Sequence, residues 1–532
     1  YGKLSVVITT EGHTASFDLT DGIELLAGEL AYTTKAVSGW TALEPELSVT
    51  WETNPTFEPV EITNDMKGKC NIVINAPAGI KAFTVSMLSD YLNNDIGLTE
   101  LDLLNPQGLE TIFDMLNFPY GEKILNQKTV PFDLTNAVAL LEGKSGQHIF
   151  TMNVTDNNNK TINQDITFFV PEAISATVSD IDLWKNTATI TLNNAPEGAT
   201  VQYKRSTESE WKNTTKNPNG TFSITPSWIT EENDAGKTVY SLDNNCGVFA
   251  GATYDWQILN GEAVVASGTF ETSAGDPIEN GDMSQWCETK EMLPLFGSKK
   301  ITVWYPGSSW SDSTPGFWDS SNNAGNKTAC TQDKTKNASC AWLQASGVSL
   351  VGALASGSLF TGTFTYANMN GTASFGQKYK YTARPTALRL KYHATLGTVN
   401  YNKHNGPLEK DKDIMDQCSF TVCIVDWDTR HDVQSGTSAP KGIWDPITMG
   451  ELPVDKQNGI IGYGVKYSSE NTPGTDLIPL EIPIKYYQQT NAAPDGENKF
   501  TIIISVSTSR YGDYLNGCDK NKIYVDDFEW VY

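Results

Sequence analysis

The sequence has few charged residues for its length, and most of them are acidic. Charged residues make up 19% of the 532 residues, and 63 acidic against 38 basic residues give a formal net charge of −25. A surface of that sign repels phosphate groups and anionic lipid heads, which argues against nucleic-acid binding and peripheral membrane binding. The sequence also has no apolar run long enough to span a bilayer. A divalent cation is the one partner that this charge favours.

Motifs of several enzyme classes are missing as well. The sequence has no H-E-x-x-H or similar histidine spacing for zinc, no G-x-S-x-G nucleophile turn and no glycine-rich phosphate loop. Its eight cysteines include no C-x-x-C pair, which argues against a zinc cluster or a thioredoxin-like site. The cysteines either stay free in the interior or form one or two disulfide bonds in the last domain, with Cys330–Cys340 the easiest bridge.

Turn-forming and aromatic residues are abundant. The chain has 43 glycines, many Asn, Thr and Ser residues, and 10% aromatic residues. This composition predicts a mainly β fold, with several β-sandwich domains joined by polar turns. The chain begins at Tyr1 without a methionine or a signal peptide, so we expect a processed or truncated ectodomain.

Patterning predicts three domains, at residues 1–171, 172–274 and 275–532. The first is expected to be β-rich with short helices. Strands are predicted at 3–9, 47–52, 71–76, 81–88, 148–155 and 164–170. Helices are predicted at 103–116 and 134–142, and in the first of these Leu109, Ile112, Phe113 and Leu116 have the spacing of one buried face.

The second domain resembles a fibronectin type III domain. Its about 100 residues include strand-like segments at 188–192, 201–211 and 251–259. The resemblance implies that Trp211 covers the core and that the Tyr254 hydroxyl bonds to nearby backbone. Such modules usually act as spacers, and the segment 272–277 (T-S-A-G-D-P) is the predicted linker to the last domain.

The last domain opens with E-N-G-D-M-S-Q-W (279–286) and closes with I-Y-V-D-D-F-E-W-V-Y (523–532). Alternation in the closing strand predicts one face that carries Tyr524, Asp526, Phe528, Trp530 and Tyr532. A carboxylate within an aromatic face needs a partner, because its burial without one costs several kcal/mol. Backbone donors or a bound cation could supply it.

Motifs across 278–532 resemble the "putative carbohydrate metabolism domain" of surface lipoproteins from Gram-negative gut commensals. They are G-F-W-D-S-S-N (316–322), G-S-L-F-T-G-T-F (357–364), F-G-Q-K-Y (375–379), R-P-T-A-L-R-L-K-Y (384–392), S-V-S-T-S-R-Y-G-D-Y (505–514) and the closing strand. The N-terminal segment, with N-F-P-Y-G (117–121) and V-P-F-D-L-T (130–135), resembles the adhesin-like domains that accompany this family.

The resemblance implies a C-terminal two-sheet jelly roll, export, and lipid anchoring at the outer cell surface. It implies a glycan ligand more than it implies catalysis. Carried onto matching positions, structural calcium would be held by Asn280, Asp282, Asp526 and Asp527. Related openings often read Asn-Gly-Asp-Phe-Glu, so Ser284 in place of an acid removes a potential ligand. Calcium and a hydrogen-bonded carboxylate without metal both remain open.

Aromatic side chains supply the candidate ligand-binding residues, because sugars pack their C–H groups on flat apolar faces. Trp304, Trp310 and Trp318 lie in a Gly/Pro/Ser-rich loop, so we expect at least one exposed indole there. Trp427, Arg430 and Trp444 lie in a second aromatic, acidic and basic cluster. Trp342 and Trp530 occur in alternating strands and are expected to pack in the core.

The predicted function is non-catalytic capture of a polysaccharide or host glycan at the cell surface. The protein would be exported to the outer surface or periplasm, would contact the membrane only through a lipid anchor outside this chain, and would be able to join surface complexes. One alternative is a glycoside hydrolase, with Asp426, Asp428 and Asp445 as candidate acids. The other is a structural or fimbrial-type adhesin that binds protein partners.

Overall fold

The computed structural model describes residues 54–62, 70–292, 301–311, 314–324, 329–348 and 352–532, together with the strands Ser5–Thr10, His13–Asp18, Glu29–Tyr32 and Leu47–Thr50. The chain forms two compact units, Tyr1–Ala173 and Ile174–Tyr532. Both are built mainly from antiparallel strands, so the predicted mainly β fold is confirmed. Among the described residues, no helix has the length and hydrophobicity of a bilayer-crossing segment.

The N-terminal unit encloses one apolar core between two sheets. The three-stranded sheet has the order Thr56–Ile62, Cys70–Asn75, Thr129–Asp133, and the four-stranded sheet has the order Thr161–Val170, Gly146–Asp156, Ile80–Leu88, Glu100–Asp102. The helical segments are Tyr91–Ile96, Glu110–Leu116, Gly121–Lys123 and Thr135–Ala139. Side chains such as Phe83 and Phe132 fill the space between the sheets.

The helix predicted at 103–116 is shorter in the structure and buries a narrower face. Gln107 and Gly108 have φ angles of 48° and 93°, which helical backbone cannot adopt, so the helix begins only at Glu110. Phe113 and Leu116 are buried as predicted, but Ile112 is 37% exposed.

The second unit begins with a small sandwich of two four-stranded sheets. One sheet has the order Ser175–Asp182, Thr187–Asn193, Phe222–Ile224, Thr215–Lys216, and the other Lys212–Asn213, Thr200–Arg205, Thr253–Asn260, Ala263–Glu271. The Phe249 amide donates a 2.8 Å hydrogen bond to the Tyr254 hydroxyl, as predicted for that tyrosine. Trp211 was expected to cover the core but is half-exposed beneath the Lys204 ammonium, and Trp256 packs in the core instead.

The C-terminal part is a second, larger sandwich. Its large sheet runs Trp228–Glu232, Thr238–Leu242, Lys485–Tyr486, Ile460–Ser468, Cys418–Trp427, Phe500–Ser507, Ser358–Ala367, Asn370–Phe375, His431–Gly436, with Trp318–Asp319 paired to Ser358–Ala367. The facing sheet runs Thr331–Asp333, Cys340–Gln344, Lys522–Val531, Ala387–Thr395, Ile478–Pro483. Smaller strand pairs are Trp286–Met292 with Ile301–Pro306, Ser346–Val348 with Ala353–Ala355, and Tyr401–Asn402 with Asn516–Gly517. Short helical segments are Ser321–Ala324, Val454–Asn458 and Gly512–Tyr514.

The closing strand does not keep one register along its length. Asp527 has a φ of 53°, and the pairing with the neighbouring strand shifts between Arg389 and Lys391, so a β-bulge interrupts the alternation there. Asp526, Phe528 and Trp530 face the core, but Tyr524 lies on the opposite face and stacks on Trp342. The predicted single face from Tyr524 to Tyr532 is therefore wrong before the bulge.

The small sandwich and the large sandwich are structurally continuous. The hairpin Trp228–Glu232 and Thr238–Leu242 extends the large sheet through the pairing of Tyr240 with Tyr486. Trp184 belongs to the apolar core of the large sandwich. The segment predicted as a spacer thus shares a sheet and a core with the last domain.

The eight cysteines all lie within the described ranges, and all are free thiols. Cys330, Cys340, Cys418 and Cys423 are fully buried. Of the two alternatives left open by the sequence, the structure contains free cysteines, six of them in the interior and two, Cys246 and Cys287, partly exposed.

Candidate functional site

A groove of about 660 Å³ lies on the face of the large sheet that points away from the sandwich core. Alternation along two central strands separates the two faces. Phe420, Val422 and Ile504 are buried in the core, whereas the residues between them face the groove.

Hydroxyl side chains form the floor of the groove. Strand pairing places Ser358, Ser507 and Ser419 in one row across three strands, and Ser505 opposite Thr421 in the next row. Opposed side chains in antiparallel strands lie about 4.5–5.5 Å apart at their Cβ atoms, so these hydroxyls form a compact patch. Within the part of the chain that the structure describes, the hydroxyls of Ser419, Thr421 and Ser505 bond to no protein atom and can bond to a ligand.

An aromatic hairpin forms one wall. Strand Ser358–Ala367 pairs with Asn370–Phe375, and Phe364, Tyr366 and Ala373 line the groove. The Phe364 ring lies directly across Gly371. It is so close that a Cβ atom at Gly371 would come within 2.5 Å of the ring. Phe364 is half-exposed and lines the groove. Burial raises the pKa of the Tyr366 hydroxyl, which stays protonated and can donate a hydrogen bond.

Trp444 and its neighbours form the other wall. Trp444 is half-exposed and packs edge-on against the Trp427 ring at 5.7 Å between centroids and against the His431 ring at 6.0 Å. His431 in turn bonds to the carbonyl oxygen of Gly442 through Nε2 at 2.6 Å. The indole is therefore supported from behind by packed rings.

Arg510 is held among groove residues rather than free. Its guanidinium stacks over the Tyr467 ring at 3.6 Å and lies 3.7 Å from the Asp445 carboxylate. The Tyr467 hydroxyl donates to Asp445 at 3.1 Å, and Arg510 Nη1 donates to Gln417 at 3.3 Å. Burial and the nearby Asp445 charge raise the pKa of Tyr467, so the hydroxyl remains a donor.

Asp513 contributes a carboxylate at the end of the groove. It lies in the short helical turn Gly512–Tyr514, whose backbone is fixed by a 2.6 Å hydrogen bond from the Ser435 hydroxyl to the Asp513 carbonyl oxygen. Loss of solvent raises the pKa of its carboxyl to about 6. Its carboxylate has no hydrogen-bond donor among the described residues.

Three of the predicted tryptophans are buried, and the expectation that they contact a ligand is wrong for this structure. Trp318 is fully buried and donates to the Glu279 carbonyl oxygen at 2.7 Å. Trp310 is 8% exposed and stacks on Tyr305 at 4.0 Å between centroids. Trp427 is 2% exposed and donates to the Lys456 carbonyl oxygen. In each case the indole stacks on a neighbouring ring or donates a hydrogen bond to a backbone carbonyl oxygen, and this contact holds it in the interior.

The remaining predicted residues lie at different distances from the groove. Trp444 lines it, whereas Trp304 is half-exposed on the separate strand Ile301–Pro306. Arg430 stacks over Phe500 at 4.6 Å and donates to the Gly376 carbonyl oxygen, so it positions the aromatic hairpin rather than facing the groove. The hydroxyl floor, Phe364, Tyr467 and Arg510 were not predicted. The alternating S-V-S-T-S stretch at 505–509 was the available signal, since every second residue is a hydroxyl.

The predicted metal residues meet where the opening turn contacts the closing strand. The Phe528 amide donates to the Gly281 carbonyl oxygen at 2.8 Å. Asn280 bonds to the Gln285 backbone, and Asp282 accepts from the amide and hydroxyl of Ser284.

The two carboxylates of the closing strand also have protein partners. Asp526 is fully buried and accepts from Asn337 at 2.5 Å, and Asp527 forms a 2.8 Å ion pair with Lys391. Burial, followed by the nearby Asp527 and Asp282 charges, raises the pKa of Asp526 to about 6. Among the described residues, no three His, Cys, Asp or Glu side chains form a group that could hold a metal. In this structure the two carboxylates are satisfied by hydrogen bonds and an ion pair with protein groups.

The three carboxylates considered for hydrolysis do not converge. Asp445 lines the groove, whereas Asp426 forms a 3.0 Å ion pair with Lys499 and Asp428 is exposed, and neither of these two lines the groove.

Residues 270–531 match the family model described as "Putative carbohydrate metabolism domain". The family predicted for the last domain is confirmed. The groove therefore lies in a carbohydrate-related domain, within the matched residues. No curated protein matches the sequence significantly.

Several solved structures are distantly similar to the chain. A putative glycoside hydrolase from Bacteroides thetaiotaomicron is 14% identical, with 64% of this chain and 98% of that chain covered and a TM-score of 0.30. One from Bacteroides vulgatus is 14% identical, with 47% and 96% covered and a TM-score of 0.30. A Ca²⁺-stabilised adhesin from an Antarctic bacterium is 11% identical, with 90% and 88% covered and a TM-score of 0.15. Likenesses at these TM-scores carry no argument about function.

Proposed function

We propose that the protein binds a glycan chain in the groove of its carbohydrate metabolism domain and holds it without chemical change. The observation that carries this proposal is one open groove that combines unpaired hydroxyls on its floor with supported aromatic rings on both walls. Sugar rings present apolar C–H faces and hydroxyl edges, so they match aromatic walls and a hydroxyl floor.

Rigidity of the walls supports binding. The Trp444 indole is packed against Trp427 and His431, and the Phe364 ring lies on Gly371. Rings that are already fixed lose little conformational entropy when a ligand stacks on them. The volume of about 660 Å³ is within the usual range for ligand sites and leaves room for a short oligosaccharide segment.

The test is a glycan array followed by titration calorimetry on the full chain, with Trp444→Ala against Trp304→Ala as the matched control. Both indoles are half-exposed, but only Trp444 lines the groove. Loss of a stacking anchor should weaken binding by about tenfold, equivalent to roughly 1.4 kcal/mol, whereas the Trp304 variant should bind as the wild type does. No binding across plant, host and microbial glycans would overturn the proposal.

The same experiment separates the alternatives. Release of reducing ends that Asp445→Asn abolishes would indicate a glycoside hydrolase rather than a binding protein. Binding to protein partners that is unaffected by Trp444→Ala would favour a structural adhesin. Export and lipid anchoring at the outer surface belong to the proposal through the family resemblance, and membrane fractionation of native cells tests them.

Structural calcium between the opening turn and the closing strand is a further part of the proposal. Asp282 and Asp527 would have to exchange their contacts with Ser284 and Lys391 for a cation. If calcium binds there, millimolar CaCl₂ should raise the melting temperature above that in chelator, and Asp282→Asn should remove the difference. Equal melting temperatures in calcium and in chelator would mean that calcium does not bind there and that the protein's own hydrogen bonds hold the opening turn to the closing strand.

A further inference from the structure

The charges in the groove nearly cancel, and the excess is negative. Among the residues that the structure describes, five charged side chains line it: Lys403, Asp445, Glu451, Arg510 and Asp513. Arg510 and Asp445 neutralise one another at 3.7 Å. Of the remaining three, the single positive charge of Lys403 is outnumbered by the negative charges of Glu451 and Asp513. The protein as a whole has a formal net charge of −25.

Arg510 is poorly placed to receive a ligand anion. One face of its guanidinium lies on the Tyr467 ring, Nη2 approaches Asp445, and Nη1 donates to Gln417. A sugar carboxylate or sulfate would have to displace Asp445 to pair with Arg510, which would leave the Asp445 charge without its cation in a partly buried site. The Arg510 guanidinium is therefore not available as a strong binding site for a ligand anion.

Asp513 is suited to a neutral polyol. A carboxylate has two oxygens that can accept hydrogen bonds from adjacent hydroxyls, and such charge-assisted bonds are stronger than neutral ones. Within the described residues nothing donates to it, so those acceptor positions are open to a ligand. The floor hydroxyls of Ser419, Thr421 and Ser505 complement it, because each can both donate to and accept from a sugar hydroxyl.

We propose, on the basis of the proposed function, that the groove selects uncharged glycan segments and that Asp513 determines this selectivity. Its carboxylate accepts hydrogen bonds from sugar hydroxyls and repels glycans that carry carboxylate or sulfate groups. Repulsion between like charges in a partly desolvated site is a recognised source of specificity.

The experiment compares matched ligands on the full chain at pH 7.5, where Asp513 is ionised. The probes are the tightest neutral ligand from the array and the same chain with part of its primary hydroxyls oxidised to carboxylates. The wild type should bind the oxidised chain about tenfold more weakly or worse. Asp513→Asn should weaken neutral binding and reduce the discrimination against the oxidised chain.

Asp432→Asn is the matched control. It removes the same charge from strand His431–Gly436, but Asp432 bonds to Ser374 and does not line the groove. It should leave both affinities unchanged. A Lys403→Gln variant tests the other cation, and acid binding that depends on Lys403 would overturn the inference.

Two failures are distinguishable. If the wild type binds no glycan at all, the proposed function fails and the selectivity fails with it. If it binds glycans but holds the oxidised chain as tightly as the neutral one, or if its tightest ligand is acidic, the proposed function stands and this inference is overturned. Loss of discrimination in Asp432→Asn as well as in Asp513→Asn would overturn the assignment to Asp513.

Discussion

At the scale of single residues, Asp319 couples the stability of the last domain to pH. Its carboxylate is fully buried and accepts from the amides of Phe364 and Ser320 at 2.7 and 2.8 Å. Burial outweighs these bonds and raises the pKa of Asp319 to about 7. The folded protein therefore keeps a proton that the unfolded chain releases near its ordinary pKa of 3.8.

The sign of the pH effect follows from this difference. As pH rises from about 4 to about 7, the unfolded chain loses the proton first, so the contribution of Asp319 to stability falls over that window and is constant above it. Asp319→Asn does not titrate, so its free energy of unfolding relative to the wild type should rise across the window. Urea unfolding at several pH values measures this, and a difference independent of pH would contradict it.

Exposure of individual aromatic residues could not be predicted from the sequence. Trp310 and Trp444 both lie in loop-like stretches that contain glycine and proline, yet Trp310 is covered by Tyr305 whereas Trp444 borders the groove. The difference arises from strands that are distant in sequence. Alternation depends on neighbouring residues only, and it placed Trp530 in the core correctly. The same prediction for Trp342 was wrong, because this indole is half-exposed and stacks on Tyr524 on the opposite face of the sheet.

At the scale of secondary-structure elements, the aromatic hairpin depends on the absence of a side chain at Gly371. A Cβ atom there would come within 2.5 Å of the Phe364 ring and force the ring away from the strand. Gly371→Ala should therefore weaken glycan binding by about fivefold, or roughly 1 kcal/mol, with the fold preserved.

The control for this change is the next residue along the hairpin. Thr372 points to the opposite face of the strand and does not line the groove, so Thr372→Ala should not alter affinity. Calorimetry with the array ligand measures both variants. Equal losses in the two would show that the hairpin as a whole, rather than the Phe364 ring, is sensitive to substitution.

Elements were predictable where the pattern is local. The strands expected at 71–76, 81–88, 148–155 and 164–170 lie within a few residues of those observed. The β-bulge at Asp527 was not predictable, because its left-handed backbone gives no compositional signal in an Asp-Asp pair. One bulge was enough to move Tyr524 to the other face.

At the scale of the whole unit 174–532, Arg384 fastens the two sandwiches together. Its side chain is fully buried, with the guanidinium 4.5 Å from the Trp184 ring, 5.3 Å from the Trp228 ring and 5.0 Å from the Tyr486 ring. It donates to the Trp184 carbonyl oxygen at 2.7 Å and to the Gln488 carbonyl oxygen at 3.2 Å.

Arg384→Lys keeps the charge but loses the planar stacking and most of the donors. It should lower the free energy of unfolding of this unit by about 2–4 kcal/mol. Arg389→Lys is the control, since Arg389 is exposed in ion pairs with Glu481 and Glu529, and such pairs contribute at most about 1 kcal/mol. Urea unfolding followed by tryptophan fluorescence compares them, and similar losses would contradict a special role for Arg384.

This joint could not be predicted from the sequence. The segment 172–274 was interpreted as a self-contained spacer because its composition is that of an independent sandwich. The pairing of Tyr240 with Tyr486 spans nearly half the chain, and no local pattern specifies a contact of that range.

The shared sheet has a mechanical consequence. A force applied to a bound glycan would be transmitted from the groove to the preceding sandwich through strand Lys485–Tyr486. The contacts of the Trp184 indole and the Arg384 guanidinium would carry part of that force in parallel. Because these connections must rupture together, we expect the ligand to slip out of the groove under load before the two sandwiches come apart.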